Sequence, residues 1–198
     1  MDDRRLANTY QEYVVAPGLE RTALLEALRA RCPREATLLY PGSSVHLTPS
    51  FFFQHVVYVD RSELSRDFFA CTRAVLDVVN ARKQYRQQPF IRFIEQDFTT
   101  DLPVPEASFD VLLALYAGGI SRSCGRYVKP GGLVLTDDHH DDAHDAAKLP
   151  GFELHAVVNE RRGKVVIEEQ HLERYAWADT SRGHRAKADY YLFRRGRR

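Results

Sequence analysis

The segment from Thr37 to Asp60, TLLYPGSSVHLTPSFFFQHVVYVD, most constrains what this chain can form. Two apolar runs flank a Pro-Gly-Ser-Ser turn, and the second run ends in an acidic residue. In an open parallel sheet, this order places a small-residue turn after the first strand and a carboxylate after the second. The segment therefore predicts two strands, and its layout is typical of a nucleotide-type cofactor site.

Length and charge narrow the class of protein and of partner. A chain of 198 residues is long enough to bury the core of one domain. Its 28 Lys and Arg against 27 Asp and Glu leave a formal charge of +1, so no global field favours nucleic acid, a membrane or an acidic ligand. These counts favour a small-molecule partner, and they do not indicate an oligomeric state.

Cysteine usage and hydropathy predict a cytoplasmic protein. Cys32, Cys71 and Cys124 are far apart, show no CxxC spacing, and no signal-like apolar segment follows the N-terminal MDDRR. The longest apolar run, 111–117, is far shorter than the roughly 20 residues that cross a bilayer. We expect no membrane partner.

Hydrophobic periodicity predicts an alternation of strands and helices followed by a run of strands. The helices are expected over 19–31 and 62–82, the second one continuous, with Ser62 as its N-cap. The expected strands cover 37–40, 56–60, 90–95, 109–116, 133–136, a hairpin of 152–159 and 164–169 around Arg161–Gly163, and 188–194. This order predicts a three-layer α/β domain with five β/α units, a mostly parallel sheet and an antiparallel C-terminal edge.

Three motifs carry a resemblance to a known family. Asp60 closes VVYVD, Asp97 and Phe98 close FIEQDF, and Tyr127 opens YVKPGGLVL. With these landmarks in order, the segment from about Ala36 to Arg194 resembles the class I S-adenosylmethionine-dependent methyltransferases. The resemblance implies a single domain over 1–198: an N-terminal helical segment, 1–35, then a three-layer α/β/α Rossmann-like core, 36–198.

The resemblance also implies a cofactor, S-adenosylmethionine, and the residues that would bind it. These are Tyr40, Pro41, Gly42, Ser43, Ser44, Asp60, Asp97 and Phe98. Asp60 matches the carboxylate that holds the ribose, and Asp97 with Phe98 matches the pair at the adenine. The first turn departs from the family, because Tyr40 replaces an acidic residue and Ser44 replaces a second glycine.

Each of these positions also has a structural interpretation. The Pro41–Ser44 segment forms ordinary turns in many proteins, Asp60 is suited to capping the next helix, and Asp97 is suited to ending a strand. The sequence leaves both interpretations open.

The candidates for the acceptor side follow the fourth and fifth strands. They are Tyr116, Asp137, His139 and His140, at the edge where ligands bind in such sheets. The last three belong to the tract 137–145, DDHHDDAHD, in which His140 and His144 are spaced to share a helical face. The simpler interpretation of the tract is an acidic helix start, and of Tyr116 a buried aromatic, so no metal site is assigned.

The leading functional hypothesis is a methyltransferase that acts on an unidentified small molecule. The alternative is a non-catalytic Rossmann-like binding or interaction protein that has lost the cofactor, as the divergent first turn suggests. A third, weaker hypothesis is a metal-dependent hydrolase or transferase built on the Asp/His tract. The sequence leaves open whether the protein is an enzyme.

Overall fold

The computed structural model describes residues 3–162, 164–175 and 186–197. Gly163, which was expected in the hairpin turn, lies outside the described residues. The chain divides into two compact units, Met1–Thr100 and Asp101–Arg198.

The first unit combines parallel strands with helices. Its elements are α1 (Asp3–Tyr10), continued by a π-helical turn (Gln11–Val15), α2 (Thr22–Arg29), β1 (Thr37–Pro41), α3 (Pro49–Phe52), β2 (His55–Asp60), α4 (Glu63–Ala70), α5 (Thr72–Arg82) and β3 (Phe90–Glu95). β2 pairs in parallel with both neighbours, with Tyr58 opposite Tyr40 and Asp60 opposite Glu95. The predicted strands of this unit are confirmed within one residue.

β-Branched and aromatic residues make β2 the centre of this unit. Val56 to Val59 are all buried, because a strand paired on both sides and covered on both faces has no solvent-facing side. The long connection from β1 to β2 contains only the four-residue helix α3, which begins at Pro49. Proline suits the first helical turn, where its missing N–H has no intrahelical partner.

The single helix expected over 62–82 is wrong, because the chain breaks at Cys71. Cys71 has φ −81° and ψ 55°, which is not helical, and it separates α4 from α5. Phe68 and Phe69 are adjacent and both buried, and the ring of Phe69 stacks on Phe93 of β3 at 4.8 Å. The ends of α4 and α5 thus meet at a residue whose backbone is not helical, directly after this buried aromatic pair. The predicted cap is confirmed: Ser62 Oγ accepts the N–H of Ser65 at 3.3 Å.

The second unit begins in parallel and ends in antiparallel pairing. Its elements are β4 (Phe109–Ala114), α6 (Ile120–Cys124), β5 (Val128–Thr136), α7 (Asp142–Lys148), β6 (Phe152–Arg161), β7 (Lys164–Glu168) and β8 (Tyr190–Arg195). Short 3-10 turns lie at Gly125–Tyr127, His139–Asp141 and Leu172–Tyr175. β4 and β5 are parallel, whereas β8 pairs antiparallel with β5 and β6, and β6 pairs antiparallel with β7.

Three expectations in this region need correction. β5 starts at Val128 rather than Leu133, because the strand resumes pairing on the far side of a bulge, with Val128 opposite Phe109 and Leu133 opposite Val111. Gly131 in that bulge has φ +83°, a left-handed conformation that suits glycine. β4 ends two residues before Tyr116. No helix lies between β3 and β4, where residues 96–108 form turns, so one expected β/α unit is missing.

Within each unit the strands follow a defined order. It is β3-β2-β1 in the first unit and β4-β5-β8-β6-β7 in the second. The predicted fold class, a mostly parallel sheet with an antiparallel edge and flanking helices, is confirmed. Across the described ranges, no helix is both long and apolar enough to cross a membrane.

Candidate functional site

The turn after β1 is held by backbone and carboxylate acceptors of the neighbouring strand. Gly42 has φ +65°, and its N–H donates to the carbonyl oxygen of Val59 at 2.8 Å. Ser43 is buried, and its N–H points to the same carbonyl at 3.4 Å. Ser44 is exposed and has φ +46°, a left-handed conformation that is strained for serine. The left-handed backbone favours glycine both at position 42 and at position 44.

Asp60 joins this turn to the start of α4. Its Oδ2 accepts the N–H of Ser44 at 2.8 Å, and its Oδ1 accepts the N–H of Ser62 at 2.8 Å. Each carboxylate oxygen has two lone-pair directions, so one acceptor site remains on each oxygen. The side chain is half-buried, which leaves part of it open to a ligand. Asp60 therefore has a structural role at this turn and retains acceptor capacity for a second one.

Tyr40 points away from the turn and into the core. Its side chain is fully buried, and its hydroxyl lies 3.0 Å from Nδ1 of His46. The other ring nitrogen of His46, Nε2, lies 3.3 Å from the carbonyl oxygen of Glu20. A carbonyl only accepts, so Nε2 carries the proton and Nδ1 accepts from the tyrosine hydroxyl. The side chain of Tyr40 is thus committed to an internal hydrogen bond.

Burial holds His46 in its neutral form. The desolvation of the ring lowers the pKa of His46 to about 4, because the charged imidazolium would lose its hydration. The hydrogen bond to the Glu20 carbonyl acts in the opposite direction but is weaker. The imidazole is consequently an uncharged structural link between the turn after β1 and the N-terminal segment.

The same N-terminal segment is tied down at two further points. The hydroxyl of Tyr10 lies 2.6 Å from Oγ1 of Thr48, and Oε1 of Glu20 accepts from Arg82 of α5 at 2.6 Å. The first contact ties Thr48, which follows the β1 turn, to α1, and the second ties the N-terminal segment to α5. Sequence patterns did not indicate His46 or Glu20, although a histidine within the apolar run VHL was a signal for a buried polar link.

Asp97 lies in the turn after β3 and is largely satisfied by its own neighbours. Its Oδ1 accepts the N–H and the hydroxyl of Thr99, at 2.9 and 2.8 Å. Its Oδ2 accepts from Nη1 of Arg61 at 2.8 Å, an ion pair in which the arginine side chain is 77% exposed. The hydrogen bonds from Thr99, with the nearby arginine, lower the pKa of Asp97. Phe98 beside it is half-buried.

Arg61 is the residue of this group that the sequence did not indicate. It directly follows Asp60, and its ion pair with Asp97 links the ends of β2 and β3. The predicted ribose and adenine carboxylates are therefore on adjacent strand ends, and the exposed cation of Arg61 pairs with the second of them. An arginine immediately after the acidic residue was the available signal.

A separate cluster lies in the unit 101–198, where loops follow β4 and β5. Asp137 Oδ2 accepts the N–H of Tyr116, and its Oδ1 accepts the N–H of His139, both at 3.0 Å. Tyr116 is half-buried and has φ +64°. One carboxylate thus connects three of the four acceptor-side candidates, two of them through their backbone.

The tract after Asp137 has an unusual backbone. Asp138, His140 and Asp141 all have positive φ, at +58°, +51° and +62°. A β-carbon on Gly118 would lie 2.5 Å from Cβ of His140, so the loop after β4 accommodates this tract only with glycine there. Strained residues cluster at functional sites when the surrounding structure determines them.

The structure corrects two interpretations of this tract. α7 begins at Asp142, so His140 is not helical and the expected shared face with His144 is wrong. Asp142 is fully buried rather than solvated, and it accepts the N–H and hydroxyl of Ser121 at 3.0 and 2.5 Å. Within the described part of the chain, no three His, Cys, Asp or Glu side chains are grouped to hold a metal ion.

Solved structures provide the comparison that decides the fold family. The chain is similar to a possible histamine N-methyltransferase of Thermotoga maritima, described as S-adenosylmethionine-dependent, at 15% identity and a TM-score of 0.54, covering 98% of this chain and 97% of that one. The chain has the class I methyltransferase fold. A methyltransferase from Geobacter sulfurreducens shows the same fold at 9% identity and a TM-score of 0.53, covering 97% of this chain and 88% of that one.

The chain is also similar to a protein with a different activity. The [4+2]-cyclase SpnF matches at 18% identity and a TM-score of 0.50, over 69% of this chain, which spans 57% of the length of SpnF. No family model and no curated protein matches the chain. At these identities the comparisons establish the fold, and the activity is a matter for the site.

Proposed function

We propose that this protein binds S-adenosylmethionine and transfers its methyl group to a small molecule. The observation that carries the proposal is the carboxylate of Asp60. It lies at the carboxyl end of β2, is half-buried, and has one acceptor site left on each oxygen after its bonds to Ser44 and Ser62. Two free acceptors on one carboxylate suit the two hydroxyls of a ribose.

The donor set of the turn fits such a ligand in a specific way. The N–H groups of Gly42 and Ser43 are directed at Val59, and that of Ser44 is directed at Asp60. The turn therefore offers a ligand the open surface of Gly42 rather than a ring of free N–H donors. Pro41 ends β1 as a buried residue, and Asp97 and Phe98 are proposed at the adenine.

The protein's part in methyl transfer is alignment. When bound, the cofactor supplies an activated methyl group on its sulfonium sulfur. The chain contributes orientation, which can account for much of the rate of a bimolecular step. Tyr116, Asp137, His139 and His140 stay proposals for the acceptor side. Asp137 accepts the backbone N–H groups of Tyr116 and His139, which ties the loop after β4 to the loop after β5.

Composition and charge support proposals for the class of acceptor, the domain organisation and the cellular compartment. The near-neutral net charge favours a small-molecule acceptor over nucleic acid. The proposal treats 1–198 as one functional domain. Cys32, Cys71 and Cys124 lie far apart in the sequence without CxxC spacing, which supports a cytoplasmic location.

Calorimetric and thermal-shift titrations with S-adenosylmethionine and S-adenosylhomocysteine test the proposal. We expect saturable binding with a Kd between about 1 μM and 1 mM, the range in which enzymes bind substrates. Neither heat nor a thermal shift at about 1 mM ligand would overturn it. That result would support the second candidate, a non-catalytic Rossmann-like binding protein. The feature that favours this alternative is Ser44, whose β-carbon and hydroxyl occupy the place of a family glycine.

Replacing Ser44 with glycine is expected to improve both stability and binding. The substitution relieves the left-handed strain at φ +46° and removes the Cβ and Oγ atoms from the turn. After allowance for the greater freedom of glycine in the unfolded chain, we expect roughly 0.5–1 kcal/mol more stability. S-adenosylmethionine should bind about threefold more tightly, a difference of roughly 0.6 kcal/mol.

Ser43→Gly is the matched control for this variant. Ser43 is buried and is not left-handed, so glycine there loses packing without relieving strain. Urea denaturation should rank the proteins Ser44→Gly, wild type and Ser43→Gly in falling stability. Weaker cofactor binding by Ser44→Gly would show that the serine hydroxyl itself contacts the ligand.

A further inference from the structure

A polar cavity of about 280 Å³ lies in the unit 1–100, away from the proposed cofactor site. It is lined by Arg29, Arg34, Phe52, Gln54, Gln84, Tyr85, Arg86 and Gln87. Arg34 precedes β1, Gln54 precedes β2, and Gln87 precedes β3. The cavity therefore lies at the amino ends of these parallel strands, whereas Asp60 and Asp97 lie at their carboxyl ends.

The three arginines of the cavity differ from other arginines of the same unit in their partners. Arg61, Arg66, Arg73 and Arg82 each form an ion pair with a carboxylate. Among the described residues, no carboxylate lies within ion-pair distance of Arg29, Arg34 or Arg86. Three guanidinium groups around one cavity are thus available to bind an anionic ligand.

One of these arginines is fixed by the backbone. Nη1 of Arg29 donates to the carbonyl of Cys32 at 3.2 Å, and Nη2 donates to the carbonyl of Arg34 at 2.7 Å. The guanidinium carbon also lies 5.7 Å from the centroid of the Phe53 ring. Because a guanidinium has five N–H donors, the fixed group retains donors for a ligand.

The loop that forms the opposite wall is equally well anchored. The N–H of Gln84 donates to the carbonyl of Phe51 at 2.7 Å, and the hydroxyl of Tyr85 donates to the carbonyl of Ser50 at 2.8 Å. Nζ of Lys83 donates to the carbonyl of Gln87 at 2.8 Å. A wall held by three such bonds binds a ligand with little ordering cost.

Helix ends do not account for the whole cluster. Arg29 is the last residue of α2, where a cation stabilises the negative end of the helix dipole. Arg34 and Arg86 lie in loops before β1 and β3, so this explanation does not apply to them. Both side chains are exposed and therefore accessible to a ligand from solvent.

We infer that this cavity binds a small phosphate monoester that carries hydroxyl groups. Guanidinium groups match the oxygens of a phosphate in bidentate hydrogen bonds, and three of them offset its double charge. The amide side chains of Gln54, Gln84 and Gln87 supply acceptors and donors for hydroxyls. The volume is smaller than that of most drug-sized sites, which suits a compact phosphorylated molecule.

Titration of the full chain with glycerol 3-phosphate tests this inference, with glycerol and inorganic phosphate as comparison ligands. Arg34→Gln and Arg86→Gln remove one cation each from exposed positions, and each should weaken binding of glycerol 3-phosphate about tenfold. Arg73→Gln, which removes an exposed arginine of α5, is the control and should leave binding unchanged. Glycerol should not bind, and inorganic phosphate should bind more weakly than glycerol 3-phosphate.

Three outcomes would overturn the inference. They are no binding of glycerol 3-phosphate to wild type, equal binding to wild type and to Arg34→Gln and Arg86→Gln, and preferential binding of a single-stranded oligonucleotide through the same arginines. Thermal unfolding of each variant verifies that the fold is intact. The affinity for S-adenosylmethionine, which is proposed to bind at a separate site, should be unaffected by Arg34→Gln.

Discussion

Replacing Asp60 with alanine is expected to weaken binding of S-adenosylmethionine by roughly 100-fold. The carboxylate offers two acceptors to the ligand, and a hydrogen bond to a charged group contributes about 1.5–3 kcal/mol. Losing two such bonds, which are not fully additive, corresponds to roughly 2.7 kcal/mol. Isothermal titration calorimetry of wild type and variant measures the difference directly.

The fold should survive this substitution. The N–H groups of Ser44 and Ser62 lose their acceptor, but Ser44 is exposed and Ser62 is half-buried, so water can replace the carboxylate. We expect a loss of stability of about 1 kcal/mol. Asp77→Ala, at a 68% exposed side chain on α5, is the matched control and should bind the cofactor like wild type.

The outcomes distinguish a cofactor that binds away from Asp60 from a protein that does not bind the cofactor. If wild type binds and Asp60→Ala binds equally well, the cofactor lies elsewhere and the role given to Asp60 is wrong. If wild type itself does not bind, the methyltransferase proposal fails as a whole. Asp97→Ala should weaken binding less than Asp60→Ala, because the Asp97 carboxylate already accepts from Thr99 and Arg61.

Acidification is expected to destabilise the protein through His46. The folded state lowers the pKa of His46 from 6.5 to about 4, so below 6.5 the unfolded chain binds a proton that the folded chain excludes. Stability from this residue is fully present above 6.5 and is lost as pH falls toward 4. The complete loss amounts to about 3 kcal/mol, since each pKa unit corresponds to about 1.4 kcal/mol.

Comparison with His46→Asn isolates this contribution. Urea denaturation at several pH values gives the free energy of unfolding of both proteins, and their difference should fall between pH 6.5 and 4. Other groups are common to both proteins and cancel, including Asp142, whose pKa is raised by burial and whose effect has the opposite sign. Groups that face His46, such as Glu20 and Arg21, are also unchanged.

Tyr40→Phe is the control that keeps the imidazole. It removes the hydroxyl that donates to Nδ1 of His46, so stability at neutral pH should fall by roughly 1–3 kcal/mol. The dependence on pH should remain, because the buried ring still titrates. A difference between wild type and His46→Asn that does not change with pH would show that His46 accepts a proton in the folded protein.

Local patterns predicted most of the strands, because burial on both faces produces apolar runs that single out β1, β2 and β4. The same patterns failed where packing between elements decides the outcome. Phe69, two residues before the break at Cys71, stacks on Phe93 of β3, and the early start of β5 reflects the pairing of Val128 with Phe109. Neither contact is visible in a window of neighbouring residues.

The candidate site divides in the same way. The place of Asp60 at the end of β2 follows from the sequence, because the strand ends where the apolar run does. The roles of Tyr40 and Arg61 do not follow. Tyr40 faces His46, six residues further along the chain, and Arg61 pairs with Asp97 on another strand end.

The sequence by itself determined the fold class and the strand ends that carry acidic residues, because periodicity and strand order are local properties of the chain. Only the tertiary structure decided which acceptors of Asp60 remain unused, that Ser44 is left-handed, and that His46 is buried and neutral. These properties depend on atoms brought together from distant segments. Hydrogen-bond satisfaction and desolvation are therefore set by packing, and residue order alone does not specify them.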